Sequence, residues 1–271
     1  MINQDLHTHS LYDDGTASPL AMAESAQRKG FSVFGCSLHS PQSGEAASWS
    51  GKEEEVAAFQ KDMAAVKAKL APKLHVYTGL EYDIQSVPAF DGFDYVIGGC
   101  HEISAGVKRG SVDWKRSAAK QMIEEAFEGD SGAAASVYFA QMEKLAVLPQ
   151  VDAIAHFDLI TKFNEPDPLY DTRSGTYRRA AEKAMEKLVA AGKIFEINSG
   201  AVSRGYRTSF YPSREILCLL REMEGKIFLS SDAHTVENVG NALEHERNLA
   251  RSCGFRESWI LTPGGFAPEK L

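Results

Sequence analysis

Short apolar runs rich in β-branched residues alternate along this chain with longer stretches whose apolar positions recur at helical spacing. The short runs predict seven strands: Ile2 to Leu6, Ser32 to Ser37, Leu74 to Thr78, Tyr95 to Gly98, Ala153 to Ala155, Ile194 to Ile197 and Ile227 to Leu229. The longer stretches predict helices at Pro19 to Lys29, Lys52 to Leu70, Ser131 to Leu145, Gly175 to Ala191, Ser213 to Met223 and Val236 to Arg251. Such alternation is the signature of βα units around a parallel sheet, an α/β architecture. Ser18-Pro19 and Pro212-Ser213 read as helix starts, where proline in the first turn forfeits no hydrogen bond. Gly30 and Gly192 stand where helices should close. The stretch 102–130 is a long insertion with no assigned structure, and Ser258 to Thr262 is an extra strand or a closing tail. No internal repeat, low-complexity tract or linker divides the chain, so one domain is expected.

Composition narrows the picture. At 271 residues and 44% hydrophobic content the chain can bury a full core, as one α/β barrel or two modest domains. A formal charge of -8 with no Lys/Arg run argues against long nucleic acid as a partner. The first thirty residues hold no signal pattern, and no apolar run approaches the roughly 20 residues that span a bilayer. The expectation is a cytoplasmic protein without a membrane partner, monomeric or a small homo-oligomer. Cys36, Cys100, Cys218 and Cys253 are scattered without a CxxC pair, so reduced thiols are expected rather than a zinc ribbon or a disulfide framework.

Potential metal ligands fall at nearly every predicted strand end. The first strand ends in His7-Thr8-His9, the second in His39, the third in Glu81, the fourth in His101, the fifth in His156 and the seventh in Asp232-Ala233-His234. In a parallel barrel all carboxyl ends open on one face, so these residues would converge. Residues i and i+2 of an extended segment point the same way, so HxH and DxH each offer two ligands to one cavity. The donors are imidazole and carboxylate without thiolate, which suits zinc, iron or manganese, and their number implies two or three divalent ions. A carboxylate such as Glu81 can bridge two cations. Asp14, in the Asp13-Asp14-Gly15 turn, joins the candidates through its neighbouring HxH. His75, within a strand, and His245, on an exposed helix, are read as structural or solvated.

The ordered set His7-x-His9, Asp14, His39, Glu81, His101, His156 and Asp232-x-His234 resembles the polymerase-and-histidinol-phosphatase (PHP) superfamily, over nearly the whole chain. The resemblance implies a single PHP domain over residues 1–271, folded as a distorted (β/α)7 TIM-like barrel with a trinuclear metal site at the carboxyl ends of its strands. It implies one ion on His7, His9, Glu81 and Asp232, a second on Glu81, His101 and His156, and a third on Asp14, His39 and His234. AHFDLITKFN, Ala155 to Asn164, and EINSGAVSRGYRTSFYPS, Glu196 to Ser213, resemble the histidinol-phosphate phosphatase branch. One departure is visible: where many relatives read Thr-Asp-His at the end of the second strand, this chain reads Ser37-Leu38-His39, without the carboxylate beside the ligand.

The implied activity is metal-dependent hydrolysis of a small phosphate ester, histidinol phosphate first, by in-line attack of a metal-bridging hydroxide. Glu81, Asp232 and His234 are the candidate catalytic groups, with Asp232 and His234 placed to shuttle the leaving group's proton. Arg204, Arg207 and Lys162 are candidates for holding phosphate; Arg204 leads, because the resemblance places a phosphate-binding arginine in its loop. Asn198 and Ser199 face substrate or orient a neighbour. Tyr206, Phe210 and Tyr211 could wall an imidazole-bearing substrate or merely cover the barrel mouth, and Ser40 to Gly51, with Glu45 and Trp49, could form a lid. Three other readings share parts of this pattern. They are a PHP phosphoesterase acting on nucleotides, a barrel metal hydrolase of the amidohydrolase type, which usually needs a bridging lysine not found at a strand end here, and a non-catalytic PHP module.

Overall fold

The computed structural model describes residues 3–271, so Ile2 of the first predicted strand lies outside the described residues. In chain order the elements are β1 (Gln4–Asp5), α1 (Pro19–Arg28), β2 (Val33–His39), α2 (Val56–Leu70), β3 (His75–Asp83), β4 (Tyr95–Gly99), β5 (Glu102–Ala105) and β6 (Lys108–Ser111). They continue with α3 (Arg116–Phe127), α4 (Ser131–Glu143), β7 (Ala153–Ile154), α5 (Gly175–Ala190), β8 (Ile194–Asn198), α6 (Gly200–Ser203), α7 (Arg214–Glu222), β9 (Lys226–Ser230), α8 (Leu243–Ser252), β10 (Glu257–Thr262) and β11 (Gly265–Lys270).

Seven strands form one sheet in the order β1-β2-β3-β4-β7-β8-β9, with every neighbouring pair parallel. The two ends of the sheet meet just beyond β1 and β9. There Thr8 bridges Ala233, His9 N donates to the Ala233 carbonyl at 2.8 Å, and Ala233 N donates to the His7 carbonyl at 3.2 Å. The result is a nearly closed barrel, the distorted (β/α)7 TIM-like fold expected from the sequence. All seven predicted strands belong to it. β3 runs five residues past Thr78, because Gly79 to Asp83 pair with Tyr95 to Gly99 of β4 even though Gly79 and Glu81 interrupt the apolar pattern.

Helix boundaries follow local chemistry. Ser18 caps α1 by accepting from Ala21 N, with Pro19 in the first turn, and Gly30 and Gly192 adopt positive φ just past α1 and α5. Pro212 lies outside α7, because Ser213 holds the cap position and gives its backbone N–H to Asp158 Oδ2 at 2.9 Å. The predicted start of α8 at Val236 is corrected to Leu243. The carbonyls of Val236, Glu237 and Val239 are taken by Ser25 and Lys29 of α1 and its end, and Gly240 N by the Asp5 carboxylate, so that segment cannot close helical turns. The 102–130 insertion is an antiparallel β5–β6 hairpin followed by α3. Ser258 to Thr262 is both strand and closing element, because the β10–β11 hairpin bonds the Gln4 amide at the amino end of the barrel. Among the described residues no helix is long and apolar enough to cross a membrane.

Apolar packing separates into a large layer between helices and barrel, and a smaller cluster built from Leu6, Val33, Tyr77, Tyr95, Ile97, Ile194, Phe228 and their neighbours. Tyr95 fills space that Gly35 and Gly79 leave open, and its hydroxyl donates to the Leu6 carbonyl. A Cβ at Gly79 would stand 2.2 Å from the Tyr95 ring, too close for any contact. Gly79→Ala is therefore expected to destabilise the fold by about 1–3 kcal/mol through overpacking. Urea titration should show a lower midpoint with an unchanged slope, and an unaltered midpoint would contradict this packing.

Candidate metal centre

The barrel brings the predicted strand-end residues to one face. Glu81 is buried near the carboxyl end of β3 and collects five imidazoles. Its Oε2 lies 3.0 Å from His7 Nε2, 3.4 Å from His9 Nε2 and 2.9 Å from His39 Nδ1; its Oε1 lies 3.2 Å from His101 Nε2 and 3.0 Å from His156 Nε2. Asp232 Oδ1 lies 3.8 Å from His7 Nε2 and 3.5 Å from His9 Nε2. At the more open end Asp14 Oδ1 stands 3.1 Å from His234 Nε2 and 3.6 Å from His39 Nε2. All nine predicted metal ligands thus join one cluster, which contains four groups of three or more convergent donors: His9/Asp14/His39/His234, His7/His156/Asp232, His7/His9/Glu81 and His39/Glu81/His101. His75 and His245 are exposed and take no part.

Divalent cations fit this donor set. His7 Nε2, His9 Nε2 and Glu81 Oε2 are buried and without a hydrogen-bond partner, an expensive arrangement unless something else satisfies them. Burial opposes charge on Glu81, but His39, His7 and His101 outweigh it and hold the carboxyl well below its usual range. Burial would likewise lower the proton affinity of His7 and His9. For His7 the carboxylates of Glu196 and Glu81 reverse that effect, and for His9 the Asp13 carboxylate leads in pushing the value up to about 10. The field at these nitrogens therefore favours positive charge. Asp232 sits at positive φ (49°), in the left-handed region that non-glycine residues adopt sparingly.

Three carboxylates missed in the sequence orient the histidines. Glu196 Oε1 accepts from His7 Nδ1 at 2.6 Å, Asp83 Oδ2 from His101 Nδ1 at 3.0 Å, and Asp13 Oδ2 from His9 Nδ1 at 2.8 Å. Each bond leaves the opposite ring nitrogen free to face the cluster. Asp13 Oδ2 also accepts the backbone N–H of His39 at 3.0 Å, so the carboxylate absent from the Ser37-Leu38-His39 strand reaches that position from the first loop. A signal for two of the three was present: Asp83 follows Glu81 by two residues, and Glu196 precedes Asn198 by two, the same spacing that marked HxH and DxH.

The cluster floors a cleft of 490 Å³ walled by Trp49, Trp114, Tyr206, Asp113, Lys162 and Arg204 among others. Arg204 Nη2 donates to Asp232 Oδ2 at 3.0 Å and its Nη1 lies 2.8 Å from His234 Nδ1, so it stands at the edge of the cluster. Lys162 Nζ contacts Asp113 Oδ2 at 3.2 Å and lies 4.8 Å from the Tyr206 ring. Arg207 is not brought to the cleft. Its guanidinium donates to Thr161 Oγ1 and Ser209 Oγ and stacks on Tyr211, on the far side of the loop. Asn198 is fully buried and orients neighbours, its amide donating to Glu196 Oε2 at 2.9 Å and Asp232 Oδ2 at 3.3 Å. Ser199 donates to the Asn241 carbonyl. Of the proposed aromatic walls and lid, Tyr206 and Trp49 line the cleft, while Tyr211 is buried behind it and Phe210 and Glu45 lie outside its lining.

Comparison with known proteins bears on the family and the fold. The family model of the PHP domain matches residues 5–200. A Deinococcus radiodurans protein named "Probable histidinol-phosphatase" is 27% identical over 248 residues, covering 87% of this chain and 88% of that protein. Among solved structures, a candidate histidinol phosphatase, HisK, from Listeria monocytogenes superposes with a TM-score of 0.77 at 18% identity, over 90% of this chain and 99% of that one. Histidinol phosphate phosphatase (HisK) from Lactococcus lactis, solved with Zn, L-histidinol and phosphate, gives 0.74 at 17% identity, over 97% and 98%. At these identities the two structures speak for the fold.

The raised proton affinities carry a consequence for metal uptake. His9 holds its Nδ1 proton toward Asp13, so with a value near 10 the second proton on Nε2 stays bound at neutral pH until a cation displaces it. Zinc or manganese added to chelator-stripped protein at pH 7 should release protons, and affinity should rise with pH. Titration calorimetry in buffers of different ionisation enthalpy checks this; heats independent of buffer would contradict it.

Proposed function

We propose that this chain, which belongs to the PHP domain family, is a metal-dependent phosphomonoesterase that hydrolyses histidinol phosphate to histidinol and inorganic phosphate. The observation that carries the reading is the Glu81 cluster, with its unpartnered buried donors, at the floor of a cleft edged by Arg204 and Lys162. A phosphate monoester is a dianion that repels nucleophiles, and the uncatalysed reaction is among the slowest known. Two or three divalent ions, zinc, iron or manganese, would neutralise the phosphoryl oxygens and activate water there. We assign His7, His9, Glu81 and Asp232 to one ion, Glu81, His101 and His156 to a second, and Asp14, His39 and His234 to a third, with Glu81 as the bridge.

The remaining work falls to side chains at the rim. Arg204 offers a planar fork to the phosphoryl oxygens and can exchange its Asp232 contact for them without leaving its loop. Lys162 supplies a second cation across the cleft. Asp232 and His234 adjoin both the cluster and Arg204, so they are placed to exchange a proton with water or the leaving oxygen. Trp49, Trp114 and Tyr206 offer ring faces and Asp113 a carboxylate, a combination suited to a flat, basic alcohol such as histidinol. Residues 1–271 act as one PHP domain in this reading, and four free cysteines fit a reducing cytoplasm.

A phosphate-release screen of metal-loaded protein against histidinol phosphate, nucleotides and sugar phosphates tests the substrate. Histidinol phosphate should be strongly preferred; a preference for nucleoside phosphates would overturn the assignment. Arg204→Ala should lower kcat/KM by about 10²–10³-fold, the loss typical of one charge-stabilising donor, and weaken inhibition by inorganic phosphate. An unchanged affinity for phosphate would remove Arg204 from the clamp.

A further inference from the structure

The loops after β7 and β8 carry the two cleft cations, Lys162 and Arg204, and behind the cleft they are joined by a buried polar knot. Thr161, adjacent to Lys162, donates its hydroxyl to the Asp158 carbonyl at 2.8 Å and accepts from Arg207 Nη1. The other arm of the same guanidinium donates to Ser209 Oγ at 2.9 Å, and its face lies 4.6 Å from the centre of the Tyr211 ring. Asp158 is fully buried and accepts from Ser213 N at 2.9 Å, beside the Arg207 charge. The β8 loop is cinched at its base, where Asn198 and Tyr211 exchange backbone hydrogen bonds at 2.8 and 3.0 Å. Arg204 therefore rides on a closed loop whose outer side is pinned to the neighbouring loop by Arg207 through Thr161, and nearer the surface by Glu165, which accepts from Thr208 N at 2.9 Å and Thr208 Oγ1 at 2.8 Å.

We propose that Arg207 is a positioning residue: by bonding Thr161 and Ser209 together it sets the separation of Lys162 from Arg204, so that both cations meet one phosphoryl group. The inference rests on the phosphomonoesterase reading. Burying a guanidinium is costly, and an apolar side chain would fill the same space more cheaply. What an apolar residue cannot supply is a rigid fork with one donor on each loop. Arg207 itself stays outside the cleft lining, so it acts on the phosphoryl group only through the residues it fixes.

A double-mutant cycle tests this on the full-length, metal-loaded protein: wild type, Arg207→Gln, Thr161→Val and the pair. The readouts are kcat and KM for histidinol phosphate, the inhibition constant of inorganic phosphate, and bound metal. Each single change should raise KM and the phosphate constant by about tenfold, with metal content unchanged and the pair no worse than Arg207→Gln alone, as coupled neighbours behave. Arg207→Lys, which keeps the charge but lacks the fork that reaches both oxygens, should recover part of the loss. Multiplicative losses, or a harmless Thr161→Val beside a damaging Arg207→Gln, would overturn the proposal in favour of direct phosphate contact. Loss of metal or of folded protein with KM unchanged would overturn it in favour of a purely structural role. A wild type that releases no phosphate from any ester would instead refute the functional reading, while phosphate binding by the four proteins would still measure the coupling.

Discussion

The structure is organised around one buried carboxylate. Glu81 has almost no contact with solvent, yet five imidazoles from four other strand ends lie within 3.4 Å of its two oxygens. Such a group is tolerable inside a protein only if its neighbours offset the loss of hydration, and that requirement dictates much of the rest. The strands must be parallel, so that their carboxyl ends coincide. The register must be the one that sets His39 beside Glu81 in adjacent strands. The barrel must close far enough for the loop after β9 to lie against His7 and His9.

A second ring of groups makes the first usable. Glu196, Asp83 and Asp13 each take the outward nitrogen of one histidine, which fixes ring orientation and raises basicity toward the cluster. Asn198 then ties Glu196 to Asp232, so the orienting ring and the ligand ring share a hydrogen-bond network. Arg204 links that network to the cleft. Cluster and cleft are thus one electrostatic unit, with carboxylates and imidazoles at the floor and the cations Arg204 and Lys162 at the rim.

The outer walls of the cleft come from segments grafted on this frame. The β5–β6 hairpin and the chain leading into α3 bring Asp113 and Trp114 over the cleft, and the short helical turn at 44–48 leads into Trp49 on the opposite wall. None of these residues belongs to the barrel. Loops on a parallel barrel can change while the residues at the strand ends stay.

The sequence by itself determined the seven strands, the βα order and the nine clustered residues, because strand alternation and the spacing of HxH and DxH are local and survive without knowledge of neighbours. It left β3 five residues short and started α8 seven residues early, since Gly79 to Asp83 are held in extended form by β4 and the carbonyls of Val236, Glu237 and Val239 are claimed by Ser25 and Lys29. Arg207 and Lys162 look alike in sequence, two cations in strand-end loops. Only tertiary structure separated them, turning one into the cleft against Asp113 and the other behind it against Thr161. Orienting carboxylates such as Asp13 were equally hidden, because a carboxylate's role depends on which distant nitrogen it meets. Periodicity is written along the chain, whereas pairing across it exists only once the barrel closes.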